Sequence, residues 1–216
     1  MCLFLCAPIL LGATADVSRW RAPMVQDGLL GISSTEPLRP LDFTGAFLMS
    51  YASSPVVWRF PDDTFEPVVE HQLNADLVFG VGLVPFVDFA LALPMTLRQI
   101  GPTDPIFGDL SATSVGDIRL MPRLQLADEE TFGVGAALVA ELTLPTGDNA
   151  RFTGDRTVSW RPRVIGSLPL GRGKILGSLG YTLRRNSRIA DVHITDEFDF
   201  HLGVPSTLRR PAPLSR

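Results

Sequence analysis

The chain has 216 residues, with 19 Lys+Arg against 23 Asp+Glu and a formal net charge of −4. It is 45% hydrophobic and only 19% charged, with a mean hydropathy of +0.21. That composition excludes disorder over most of the chain, and scattered arginines on a slightly acidic chain exclude the basic face of a nucleic-acid partner. No run of about 18 consecutive apolar residues is present, which excludes membrane-spanning helices.

Residues 3–12 form a short apolar run followed by Ala13-Thr14-Ala15, a small-x-small cleavage pattern. The expectation is a signal peptide over 1–15, cut after Ala15. No lysine or arginine precedes the run, so a buried N-terminal element is the alternative. Cys2 and Cys6 both lie inside it, and a mature chain would carry neither disulfide nor thiol chemistry. Residues 16–40 are expected as an N-terminal periplasmic segment.

From about Thr44 the dominant signal has period two. In 72–83, Leu73, Ala75, Leu77, Phe79, Val81 and Leu83 alternate with Gln72, Asn74, Asp76, Val78, Gly80 and Gly82. In 87–98, Phe89, Leu91 and Leu93 oppose Asp88, Ala90, Ala92 and Arg98. The pattern continues with Leu120 and Leu124 against Asp117, Arg119 and Arg123. Next come Val134, Leu138 and Leu142 against Glu141 and Thr143. Further segments are 157–168 (Arg161, Arg163), 174–184 (Arg184) and 193–204, where Phe198 and Phe200 oppose Glu197 and Asp199. A strand sends successive side chains to opposite faces, and helical spacing fits none of these segments.

Alternation by itself leaves open a soluble secreted β-sandwich or a lipocalin-like binding protein. Three features favour an antiparallel up-and-down transmembrane β-barrel over 41–204, with about eight strands. The segments run to about 10–14 residues, near the 9–11 that cross a bilayer at a tilt. One face carries large apolar residues, while the other mixes charge with Gly, Ala, Ser and Thr, as a narrow lumen requires. Long connections at 52–67, 100–115, 145–156 and 186–192 alternate with short ones near 84–85, 127–131 and 169–173, the outer-membrane arrangement. Phe43, Tyr51, Phe86, Phe132, Trp160 and Tyr181 fall near strand ends, where girdle aromatics sit, although ordinary packing uses them equally.

On this reading Asp76, Asp88, Arg98, Asp117, Arg119, Arg123, Glu141, Arg161, Arg163, Arg184, Glu197 and Asp199 face the lumen. Leu77, Phe79, Phe89, Leu91, Leu93, Leu120, Leu124, Val134, Leu138, Leu142, Phe198 and Phe200 face lipid. The lumen charges either line a solute path or pair with one another and fill a narrow barrel. An arginine at Leu91 should block assembly, whereas one at Ala92 should mainly alter the lumen.

The stretch Gly116-Asp117-Ile118-Arg119-Leu120-Met121-Pro122-Arg123, then Leu144-Pro145-Thr146-Gly147-Asp148, then Phe152-Thr153-Gly154-Asp155 resembles a pattern of Gram-negative outer-membrane β-barrels. It is similar to the N-terminal barrels of some OmpA-family proteins and to transporter barrels of the phenol-degradation type. The resemblance spans about 28–203 and implies outer-membrane lipid and the barrel-assembly machinery as partners, with no enzymatic residues to carry over. Residues 205–216 lack the terminal aromatic strand of that family, and a truncated or frameshifted C-terminus is the expectation.

No catalytic site, cofactor or metal is expected. Pro145-Thr146-Gly147-Asp148-Asn149 reads as turn chemistry. A calcium site on Asp148, Asn149 and Asp155 fits no EF-hand spacing. His193 and His201 are eight residues apart, about 26 Å at strand rise, too far to share an ion.

Overall fold

The computed structural model describes residues 3–6, 23–24, 32–59, 63–101, 111–148, 153–154, 157–171, 173–184, 187–189, 192–194 and 196–204. Most of the leader segment, residues 149–152 and 155–156, and the tail from 205 lie outside them, as do the side chains of Arg184 and His193. The strands are β1 (Leu3–Cys6), β2 (Phe43–Arg59), β3 (Phe65–Val84), β4 (Val87–Ile100), β5 (Ala112–Val115) and β6 (Ile118–Ala127). A single-turn helix α1 (Glu129–Phe132) leads to β7 (Gly135–Leu144), β8 (Ser159–Leu170) and β9 (Gly173–Arg184). Then follow β10 (Ser187–Ile189), β11 (Val192–Ile194) and β12 (Glu197–Gly203).

One sheet carries almost everything, in the order β1-β2-β3-β4-β6-β7-β8-β9-β12. From β2 to β12 every neighbour is antiparallel, and the sheet curls into a half-barrel. At its outer edge β1 runs parallel to the end of β2, pairing Leu3 with Val56 and Cys6 with Arg59. β10 and β11 form a separate hairpin.

Several connections expected to be long are strand instead. β2 runs on to Arg59 and β3 begins at Phe65, where a loop over 52–67 was expected. A register shift between Ser53 and Val56, with Ser54 at φ 48°, is a bulge that interrupts the sequence alternation and conceals the strand beyond it. β5 pairs with the outer part of β4 and β6 with the inner part. They form one strand opened at Gly116-Asp117, and the opening faces Pro94. Proline offers no N–H to a neighbouring strand, so β6 breaks there and Gly116 N–H reaches the Pro94 carbonyl at 2.8 Å.

The short connections share one rim of the half-barrel: the Pro85-Phe86 turn, α1, and the turn at Gly171. Asp128 caps α1 by accepting the Thr131 N–H at 3.2 Å, and Gly133 closes it at φ 72°. The long connections share the other rim.

The faces are inverted relative to a soluble domain. The concave side buries Asp88, Arg123 and Glu141. On the convex side Phe43 is 79% exposed and Phe200 73% exposed. What covers the concave side is not a second sheet but the chain itself. Residues 32–38 cross the trough near the short-connection rim, against Asp88, Arg123 and Ser167, and Ile32 and Met24 pack with Val78, Ala90, Ala92, Met121, Val139, Ile165 and Leu176. Part of the 16–40 segment therefore lies against the concave face of the half-barrel.

Candidate functional site: the polar trough

Two sets of concave charges reach their partners across an intervening strand, over a small residue, whereas Asp88–Arg123 and Glu141–Arg161 are direct cross-strand neighbours. Asp76 on β3 and Arg119 on β6 are separated by β4, where Ala92 pairs with Arg119 and Pro94 with Asp76. The short side chain at Ala92 lets Arg119 Nη2 cross to Asp76 Oδ1 at 2.6 Å. β8 and β12 are likewise separated by β9, and Gly180 stands opposite both Arg163 and Asp199. A Cβ at Gly180 would lie 2.6 Å from Asp199 Oδ1. Its absence lets Asp199 lean over β9 to accept Arg161 Nε at 3.0 Å and face Arg161 Nη2 at 2.7 Å. Arg161 also approaches Glu141 at 3.9 Å, and Arg163 and His201 stand 4.0 Å and 3.4 Å from Asp199.

The deepest pair is Arg123 with Asp88, each side chain 1% exposed. It is bidentate: Nε donates to Asp88 Oδ1 at 3.0 Å and Nη2 donates to Oδ2. Two-point pairing satisfies both carboxylate oxygens, which lowers the cost of burying the ions. Farther along the trough, uncharged pairs replace ions. Thr96 Oγ1 donates to Asn74 Oδ1 at 3.0 Å, and Gln72 Nε2 donates to Gln99 Oε1 at 3.1 Å.

Asp76, Asp88, Asp117, Arg119, Arg123, Glu141 and Arg163 are buried, and Arg161 and Asp199 are half-buried. Arg98 is not in this set. Between Thr96 and Arg98 the β3–β4 register shifts, so Gln99 takes the buried position and Arg98 is exposed. Glu197 begins β12 and is also exposed. Of the apolar set, Phe79, Leu124, Val134, Leu138, Phe198 and Phe200 are exposed. Leu77, Phe89, Leu91, Leu93, Leu120 and Leu142 are half-exposed, and none of the twelve is buried.

At the long-connection rim the motif residues meet. Asp117 Oδ1 accepts the Gly147 N–H at 2.8 Å. Thr146 Oγ1 donates to the Gly116 carbonyl and accepts the Ile118 N–H, both at 3.0 Å. Thr153 N–H and Oγ1 both reach the Asp148 carbonyl. A Cβ on Gly147 would stand 2.6 Å from the Thr153 carbonyl oxygen, and one on Gly154 would stand 2.7 Å from Asp117 Oδ1. Gly116-Asp117, Thr146-Gly147-Asp148 and Thr153-Gly154 thus form one clasp joining β6 to the β7–β8 connection. That is a structural role, and it explains why glycine stands at 147 and 154 and a short acid at 117.

No family model matches the chain, and no curated protein is a significant match.

Six exposed aromatics lie toward the two rims, while Phe47, Phe79 and Phe200 lie between them. Phe43, Phe86 and Phe132 lie at the short-connection rim, and Tyr51, Trp160 and Tyr181 lie toward the other. Phe43 and Tyr51 are eight residues apart on β2, about 26 Å along the strand, or about 20 Å along an axis tilted by about 40°. An outer-membrane barrel carries an apolar band about 25 Å tall between its aromatic girdles.

Several inner residues escaped sequence reasoning. Thr35 Oγ1 lies 2.8 Å from Ser167 Oγ, and Ser167 in turn donates to Glu129. Lys174 Nζ stands 3.6 Å from both Glu129 and Glu36. These contacts join α1, β8, β9 and the N-terminal segment. No local periodicity marks Ser33-Ser34-Thr35 as interior; their small size and polarity are the one available hint.

Proposed function

We propose that this chain is an outer-membrane β-barrel protein of non-enzymatic, porin- or transporter-like type. Lipid tails contact the convex face, and a passive path for a small solute runs along the charged interior. The observation that carries this reading is the inversion of the sheet: Phe and Leu outward, paired Arg and Asp inward. Monomeric soluble proteins rarely expose contiguous apolar patches beyond a few hundred Å², whereas hydrocarbon requires such a surface. The aromatic spacing and the segregation of connection lengths support the same reading. The chain would enter the membrane through the barrel-assembly machinery.

An open sheet edge has no place in hydrocarbon, where each unpaired N–H and C=O costs several kcal/mol. β2 and β12 are an odd number of antiparallel steps apart. They therefore run in opposite senses, and an antiparallel pairing can close them directly or through further strands. The test is flotation of refolded protein with phospholipid vesicles, combined with heat-modifiable migration on a gel. A membrane barrel floats and migrates differently before and after boiling. A protein that stays in the aqueous fraction, unmodified by heat, contradicts the proposal and favours a secreted binding protein.

A further inference from the structure

We propose that residues 32–38 are a removable strap that plugs the trough, and that its release opens the interior; this rests on the membrane-barrel reading. Ile32, Ser33, Ser34, Thr35 and Leu38 are all buried; Ser33 Oγ accepts the Met24 N–H at 3.1 Å, and the anchors to the sheet are made to its side chains. The Ser34 carbonyl accepts Arg123 Nη1 at 2.7 Å, the Leu38 N–H donates to Asp88 Oδ2 at 2.9 Å, and Thr35 meets Ser167.

Each sheet group that holds the strap has another partner. Asp88 keeps both bonds from Arg123 when the Leu38 N–H leaves, and Arg123 keeps Asp88 when the Ser34 carbonyl leaves. Glu129 keeps Ser167 and Lys174. Departure therefore strands no charge on the wall, in contrast to the loss of one member of a buried ion pair. The strap leaves the trough at the short-connection rim, where Leu41 N–H bonds the Gly82 carbonyl at 2.9 Å and Gly82 N–H bonds the Asp42 carbonyl at 3.0 Å. That backbone pair is a fixed hinge beyond which 32–38 can swing.

A disulfide between Thr35→Cys and Ser167→Cys, in a background carrying Cys2→Ser and Cys6→Ser, locks the strap in place, because the two native hydroxyls are 2.8 Å apart. Planar-lipid recordings are made on the oxidised and dithiothreitol-reduced protein, and on a release variant combining Ile32→Asp with Thr35→Glu. These put carboxylates into the apolar cluster and against Glu129. Loss of conductance on oxidation, its return on reduction, and raised conductance in the release variant are expected. Equal conductance of the oxidised and reduced forms overturns the strap, as does a silent release variant that floats with vesicles. Protein that does not float at all overturns the membrane reading itself, and the plug with it.

Discussion

Arg123 and Asp88 form a two-point ion pair from which water is excluded, so the partners depend on each other more than the sheet depends on them. Arg123→Met leaves the Asp88 carboxylate buried with one backbone donor, and should cost about 3–5 kcal/mol. Arg123→Met with Asp88→Asn should recover much of that loss, because no charge is then stranded. A double-mutant cycle by urea unfolding in detergent micelles measures the coupling. On the opposite face, Leu138 is exposed near the middle of β7, opposite Val164. Leu138→Arg should cost about 2–4 kcal/mol in a bilayer, as expected for a cation near its midplane, and much less in water. Urea unfolding of the variant and the parent in vesicles measures the cost; a difference below about 0.5 kcal/mol, the size of an ordinary surface substitution, would contradict a lipid-facing Leu138. The structure revises the tolerance expected at Ala92, which is fully buried in the gap that Arg119 crosses to reach Asp76. Ala92→Arg should abolish folding rather than tune a lumen, which circular dichroism after refolding would show.

At the scale of elements, the clasp makes the sharpest prediction. Gly154→Ala drives a methyl toward Asp117 and the Gly147 backbone, neither of which has room to give. Overpacking of this kind costs about 1–3 kcal/mol and should open the rim between Leu144 and Ser159 to protease. Gly173→Ala meets nothing within 4 Å and should change neither stability nor cleavage. The clasp also shows what could be read from the sequence and what could not. Period two located β6, β7, β8 and β9, and β4 as far as Thr96, because each keeps a single parity over that length, so a count of alternate residues assigns the faces. Where parity slips, the count misleads. The register shift beside Leu97 sends Arg98 outward and brings Gln99 in, and the bulge near Ser54 hides the outer halves of β2 and β3. The clasp itself joins residues some 30 positions apart through a side-chain oxygen on one segment and a backbone N–H on the other, and period-two patterning carries no record of such pairings.

For the whole molecule, the same limit applies to 32–38. Its place in the trough depends on Ser167, Lys174 and Arg123, 85 or more residues along the chain, and on small residues that leave it room. Removal of a leader at Ala15 would take β1 with it and free the outer edge of β2, leaving β2 and β12 as the two edges to be closed. The central claim is narrower than closure or conduction: the convex side chains contact lipid. Nitroxide labels placed one at a time along β8 of vesicle-reconstituted protein test it most directly, by relaxation with oxygen, which concentrates in hydrocarbon, against a water-soluble nickel chelate. The account predicts that labels at Trp160, Val164 and Leu168 respond to oxygen while those at Ile165 and Ser167 respond weakly to both reagents, a period of two with its maximum on the outward positions. Outward labels that respond to the nickel chelate, or that are shielded from both reagents, would contradict it.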